Sequence, residues 1–107
     1  MPGRSGGRQF LGADHGGVPV SLFLVAAPRG SGPDLHRHPY AEIFLVEAGE
    51  ADFSIDGAHV RATAGDILIA PAGSAHRFTS TGEEELRRTA IQTAATMDTE
   101  WLDRAPR

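Results

Sequence analysis

Glycine and proline cut this chain into short pieces, and that punctuation constrains the fold more than any other feature. Residues 28–34 (PRGSGPD) form a Pro/Gly loop, and residues 47–50 read as a turn. Asp56-Gly57 is a hairpin signal, because a tight primed turn needs residues that tolerate positive φ. Ala64-Gly65-Asp66 and Pro71-Ala72-Gly73 mark further turns. Between these breaks lie segments of strand character at residues 40–47, 51–57, around Val60, 66–70, 76–80 and 86–96. Short strands at close spacing predict an all-β barrel or sandwich. Residues 18–27 (VPVSLFLVAA) are almost continuously apolar, which suggests a strand covered on both faces, between two sheets or at a subunit contact. Two ends depart from this pattern. Residues 1–9 are rich in Gly and Arg with little to bury and read as a loose arm, leaving 10–107 as the folded domain. Asp98 is the expected N-cap of one short helix carrying Trp101 and Leu102.

Composition removes several function classes. A chain of 107 residues holds one core. It has no cysteine, so disulfides, thiolate ligands and a cysteine nucleophile are excluded. All ten basic residues are arginine, which rules out Schiff-base chemistry on an enzyme lysine. A formal net charge of −4 without a basic face argues against nucleic acid. No apolar run reaches the length of a membrane span, and the opening MPGRSGGRQF lacks the apolar core of a signal peptide. The expectation is a cytoplasmic protein with no membrane partner.

The chemistry concentrates in His36, His38 and Glu42, which share parity. Side chains of a strand alternate faces, so these three potential metal ligands can point the same way. His76 follows the turn at residues 71–73 and can join them from a neighbouring strand, closing a site of three imidazoles and one carboxylate. A single histidine in such a place is more often exposed or a hydrogen-bonded core residue. Four ligand groups at two coupled spacings favour a metal site. Glu42 also lies among residues apolar on both faces, where a carboxylate needs a cation or another partner. Such a donor set suits one divalent transition metal, Fe, Mn, Ni, Co, Cu or Zn. Four protein ligands on a six-coordinate ion leave two positions open, as Lewis-acid or redox chemistry requires.

The same residues resemble the two signature motifs of the cupins, a family of small β-barrels. The first runs Gly30, five residues, His36-x-His38, three residues, Glu42, six residues, Gly49. The second runs Gly65, five residues, Pro71-x-Gly73, two residues, His76. Ser80 stands where the family usually has Asn, a position that is not a metal ligand there. The resemblance implies a single-domain, jelly-roll-like barrel with His36, His38, Glu42 and His76 as the metal ligands, and a homodimer as in much of the family. It allows dioxygenases that cleave diketones or aromatic rings, as well as isomerases, cyclases, decarboxylases and lyases.

Other residues carry weaker expectations. Tyr40 shares the ligand face, so it either serves a bound substrate as donor or proton carrier, or packs at the barrel mouth. Phe44, Val46, Phe53, Ile55 and Phe78 are expected as barrel lining and core, with some facing the pocket, and Gln92 as a candidate projecting into the barrel. Arg37 and Arg77 lie on the parity opposite the ligands and read as solvated or salt-bridged. His15 and His59 fall outside both motifs, and Glu83-Glu84-Glu85 reads as a solvated loop tip. The leading expectation is a metal-dependent enzyme acting on a small organic molecule, with a dioxygenase or other oxidoreductase in front. The alternatives are a metal-assisted isomerase, cyclase or lyase, and a non-catalytic module that binds a metabolite or metal.

Overall fold

Alternating side chains and glycine-bearing turns resolve into strands throughout residues 6–102, the part of the chain that the computed structural model describes. These are β1 (Gly6–Phe10), β2 (Ser21–Ala27), β3 (His36–Arg37), β4 (Glu42–Ala48), β5 (Glu50–Ile55), β6 (Ala58–Thr63), β7 (Ile67–Ala70), β8 (His76–Ser80), β9 (Leu86–Gln92) and β10 (Glu100–Trp101). One 3-10 turn, Gly12–Asp14, interrupts them. The Asp56-Gly57 hairpin forms between β5 and β6 with φ of 50° and 84° at its two residues, the positive values that a primed turn demands. No helix among the described residues is long and apolar enough to cross a membrane.

All the strand pairs are antiparallel, and they build two five-stranded sheets ordered β1-β2-β9-β4-β7 and β10-β3-β8-β5-β6. This is an all-β, jelly-roll-like barrel. Because the strand period is two, each sheet turns one face inward, and β4 shows the pattern plainly: Glu42, Phe44 and Val46 are buried while Ile43 and Leu45 are not. Phe44, Phe53 and Phe78 meet between the sheets, with centroids 5.1 Å apart for Phe44–Phe53 and 5.4 Å for Phe53–Phe78. Burial of each phenyl ring contributes about 1.5–3 kcal/mol. Ala27, Ala51, Ala62, Ala70 and Ala90 fill the narrow space around them, and Leu86 closes the core.

Three expectations change. Residues 6–9 are not part of a loose arm: they lie in β1, where the backbone finds partners along β2 from Gly6↔Ala26 to Phe10↔Leu22. Residues 1–5 of that arm, and 103–107, lie outside the described residues. The helix expected after Asp98 is absent. Glu100 and Trp101 pair instead with Arg37 and His36 of β3, and the Leu102 N–H donates to the Leu35 carbonyl at 2.9 Å. A segment this short cannot repay helix nucleation, so a ready strand edge captures it. The apolar run at residues 18–27 forms a strand only from Ser21, and its outer face stays open, with Leu24 43% exposed.

Candidate metal centre

The two sheets meet at the site. His36 and His76 are direct cross-strand partners on β3 and β8, and His38 follows one residue beyond the end of β3. Glu42 opens β4 in the other sheet, between Ala70 of β7 and Gln92 of β9. All four side chains are buried, Glu42 to 3% exposure, and one ligand atom from each lies within 4.8 Å of the others. The imidazoles crowd together at ring separations of 4.4 Å (His36–His76), 5.1 Å (His36–His38) and 5.3 Å (His38–His76).

Backbone carbonyls set the tautomers. His36 Nδ1 lies 2.7 Å from the Asp34 carbonyl oxygen, His38 Nδ1 2.7 Å from that of Asp98, and His76 Nδ1 3.0 Å from that of Ser74. A carbonyl only accepts, so every Nδ1 carries a proton and the neutral ring leaves a lone pair on Nε2. Glu42 Oε1 lies 3.2 Å from His38 Nε2 and 3.0 Å from His76 Nε2. Between neutral rings and a carboxylate these contacts set lone pair against lone pair. Either the rings become cations or a cation lies among the ligands, and three crowded imidazolium ions repel one another. The residues therefore fit a divalent cation, and the carbonyl-oriented imidazoles match the way metal-bound histidines are commonly held.

Without a cation among the ligands, the rings and the carboxylate shift one another's protonation. Burial, reinforced by repulsion from His76 and His38, lowers the His36 pKa to about 4 even though the Asp34 carbonyl works against it. Burial alone would raise Glu42, but hydrogen bonds and charge from His38 and His76 reverse this and hold it at about 2. For His38 burial acts downward, yet the Glu42 carboxylate and the Asp98 carbonyl outweigh it and move the ring upward.

Three of the cluster, His36, His38 and Glu42, open on a cavity of about 200 Å³ that His76 does not line and that is also bounded by Phe44, Phe78 and Gln92 from the predicted set. Val46, Phe53 and Ile55 do not line it. Phe53 packs behind the Phe44 ring, Val46 lies one inward step further along β4 in the core, and Ile55 is half-buried beside His76 on β5. Gln92 Nε2 donates to Glu42 Oε2. Tyr40 lies beside the site, not in its wall. Its ring stacks on His38 at 4.9 Å and 8°, and its hydroxyl accepts the Asp98 N–H at 3.0 Å. Burial raises its pKa, so the phenol keeps its proton.

Sequence reasoning missed Arg88. Leu86, Arg88, Ala90 and Gln92 alternate inward along β9, so the guanidinium enters the barrel and reaches the cavity. Parity with Gln92 was the available signal. Burial lowers its pKa to about 10, against the pull of Glu42, and it remains a cation at neutral pH. Trp101 and Thr99 also reach the cavity, brought there by the β10 pairing.

Known proteins place this architecture. The chain is 34% identical over 58 residues to the dimethylsulfoniopropionate lyase DddQ of Ruegeria pomeroyi, a stretch that covers 53% of this chain and 29% of the lyase. A Klebsiella pneumoniae protein with a double-stranded β-helix domain superposes with a TM-score of 0.78 at 20% identity, over 97% of this chain and 89% of that one. An oxalate oxidase in complex with glycolate superposes with a TM-score of 0.81 at 22% identity, over 95% of this chain and 57% of that one. The chain thus spans less than a third of the lyase, and the two structural likenesses establish the fold alone. The profile of the Cupin_2 family, the cupin domain, matches residues 22–91. With that match covering most of the barrel, the chain belongs to the cupin-domain family.

Proposed function

We propose that the protein is a metal-dependent enzyme that acts on a small organic molecule, with one divalent transition metal held by His36, His38, Glu42 and His76. The observation that carries this reading is the convergence of three carbonyl-oriented imidazoles and one buried carboxylate, their ligand atoms within 4.8 Å of one another, beside a cavity that His36, His38 and Glu42 line. Bound there, the metal supplies Lewis acidity or, as Fe, Mn, Ni or Cu, a redox centre. The chain's own groups do the rest: the phenyl rings of Phe44 and Phe78 exclude water, and Gln92 fixes the orientation of Glu42. An oxidoreductase of the dioxygenase kind is the first form of the proposal, supported by the free coordination positions that four ligands leave. A lyase or other metal-assisted eliminating enzyme is the second, favoured by the sequence similarity to a lyase.

Elemental mass spectrometry tests the proposal on protein purified without chelator, beside a variant carrying both His36→Ala and His76→Ala. Stoichiometric Fe, Mn, Ni or Cu, lost in the variant, supports the redox form and directs oxygen-uptake screens. Zinc alone supports the lyase form. No metal in either protein, even after reconstitution, overturns the enzyme reading in favour of a binding module.

We also propose that the protein is a homodimer joined through the outer face of the β1-β2-β9-β4-β7 sheet. Two apolar rows support it: Leu22, Ile91, Ile43 and Ile69 stand side by side across four strands, as do Leu24, Thr89, Leu45 and Ile67. Ile67 and Ile69 of β7 are 64% and 60% exposed, and Leu24 of β2, 43% exposed, lies on the same sheet with β4 and β9 between. A contiguous apolar face of this kind marks an interaction surface.

A further inference from the structure

Among the described residues Arg88 is the only buried arginine, at 5% exposure, and nothing in the metal cluster requires it. Its Nη1 donates to the Phe23 carbonyl at 3.1 Å, while its buried Nε has no partner among the described residues. It forms no salt bridge with any described carboxylate. Glu42, the acidic group that acts on it electrostatically, is already engaged by His38, His76 and Gln92. A guanidinium has five N–H donors in a fixed fork, and burying it with so few satisfied costs several kcal/mol.

The surroundings limit what can satisfy it. The guanidinium carbon lies 4.8, 5.4 and 5.5 Å from the ring centroids of Phe78, Phe44 and Phe23. Ring faces stabilise the cation in part but accept no in-plane hydrogen bond. Arg88 borders the same cavity as His36, His38 and Glu42, and about 200 Å³ is small beside the roughly 300–1,000 Å³ of pockets for drug-sized ligands. A planar anion that takes the fork in pairs, attached to a short apolar body that suits the phenyl rings and Met97, matches this wall. Phosphate and sulfate match the charge but not the apolar lining.

We propose that Arg88 anchors the carboxylate of a small, partly apolar acid, the substrate class of the pocket, leaving the acid's other end toward His36, His38, Glu42 and His76. The proposal rests on the metal-enzyme reading for what happens to the acid, but the anchor itself is a property of this chain.

The test uses metal-reconstituted and metal-free protein, with butyrate as the probe and butyramide as its neutral counterpart. Trp101, the single tryptophan, borders the cavity, so its fluorescence reports binding, with calorimetry as the second readout. Wild-type protein should bind butyrate saturably and butyramide far more weakly. Arg88→Gln and Arg88→Met should each lose roughly 10- to 100-fold in butyrate affinity, the loss expected for hydrogen bonds to a charged group, while keeping their metal content. Equal butyrate affinity in wild type and variants, equal affinity for butyramide, preference for inorganic phosphate, or no saturable binding to wild type would each overturn the anchor. If Arg88→Gln does not fold, Arg88→Met, which fills the same space with an apolar chain, carries the comparison; failure of both to fold assigns Arg88 to structure and overturns the proposal. The two readings separate cleanly. Metal without Arg88-dependent binding removes the anchor alone, whereas Arg88-dependent binding in a protein that takes up no metal removes the metal reading alone.

Discussion

Gln92 and Glu42 face each other across the β4–β9 ladder, and Gln92 Nε2 donates to Glu42 Oε2. That bond ties down one carboxylate oxygen and leaves Oε1 to the imidazoles of His38 and His76. Gln92→Leu keeps the volume but frees Oε2. Metal affinity should fall roughly 10- to 100-fold, the usual cost of losing a partner that orients a ligand, with the thermal midpoint little changed. Metal titration of the two proteins checks this, and equal affinities would show that the β4 backbone alone orients Glu42.

Removal of a ligand itself should cost more. His76→Ala deletes one imidazole from the cluster but leaves the β8 backbone paired with β5. Metal affinity should drop by more than the roughly 100-fold upper figure for an outer partner, while far-UV circular dichroism stays that of the native barrel. A variant that cannot fold would make the metal a structural element.

Tyr40 is expected to position His38. Its hydroxyl accepts the Asp98 N–H, and the Asp98 carbonyl in turn accepts from His38 Nδ1. Tyr40→Phe retains the ring stacked on His38 but removes the acceptor, so it should cost about 1 kcal/mol of stability and roughly tenfold in metal affinity. Urea denaturation and metal titration read the two effects. An unchanged metal affinity would reduce Tyr40 to packing.

Acidification should empty the site. Imidazoles must be deprotonated to bind, so metal occupancy should fall as pH drops through the histidine range. Occupancy unchanged at about pH 5, well below the ordinary histidine value, would count against three imidazole ligands. The metal-free protein has its own signature. His36, lowered from 6.5 to about 4, contributes stability that declines as pH falls between those values, because the unfolded chain takes the proton that the folded one refuses. His38, raised, opposes it: its contribution is fully present below the unfolded value and is lost as pH rises through the folded one. Glu42, lowered from 4.5 to about 2, has no such counterweight, so acid unfolding of the metal-free chain should set in below pH 4.5. Chemical denaturation at a series of pH values reads the slope.

The apolar rows on the outer sheet face make a prediction about assembly. Sedimentation at micromolar concentration should show a dimer, and the double substitution Ile67→Asp with Ile69→Asp should give a monomer that still binds metal. A monomeric wild type would leave that face without its proposed occupant.

Sequence alone determined the barrel and the identity of the four candidate ligands. Strand periodicity, Gly/Pro turns and the parity of His36, His38 and Glu42 are local properties, fixed by a few neighbouring residues wherever the segment ends up. The hairpin at Asp56-Gly57 and the bounds of β8 are legible for the same reason. Tertiary structure decided the remainder. Asp98 reads locally as a helix cap, yet its backbone serves Tyr40 and His38 some sixty residues away, and Trp101 follows it onto the edge of β3. Parity placed Phe44, Val46, Phe53, Ile55 and Phe78 inward without saying how deep each lies, so core and cavity wall could not be told apart. Arg88 shows the same limit from the other side: an arginine on a strand reads as solvated until the barrel closes around it. Which face a residue takes is written in a two-residue repeat, but what it meets there depends on strands joined only when the two sheets come together.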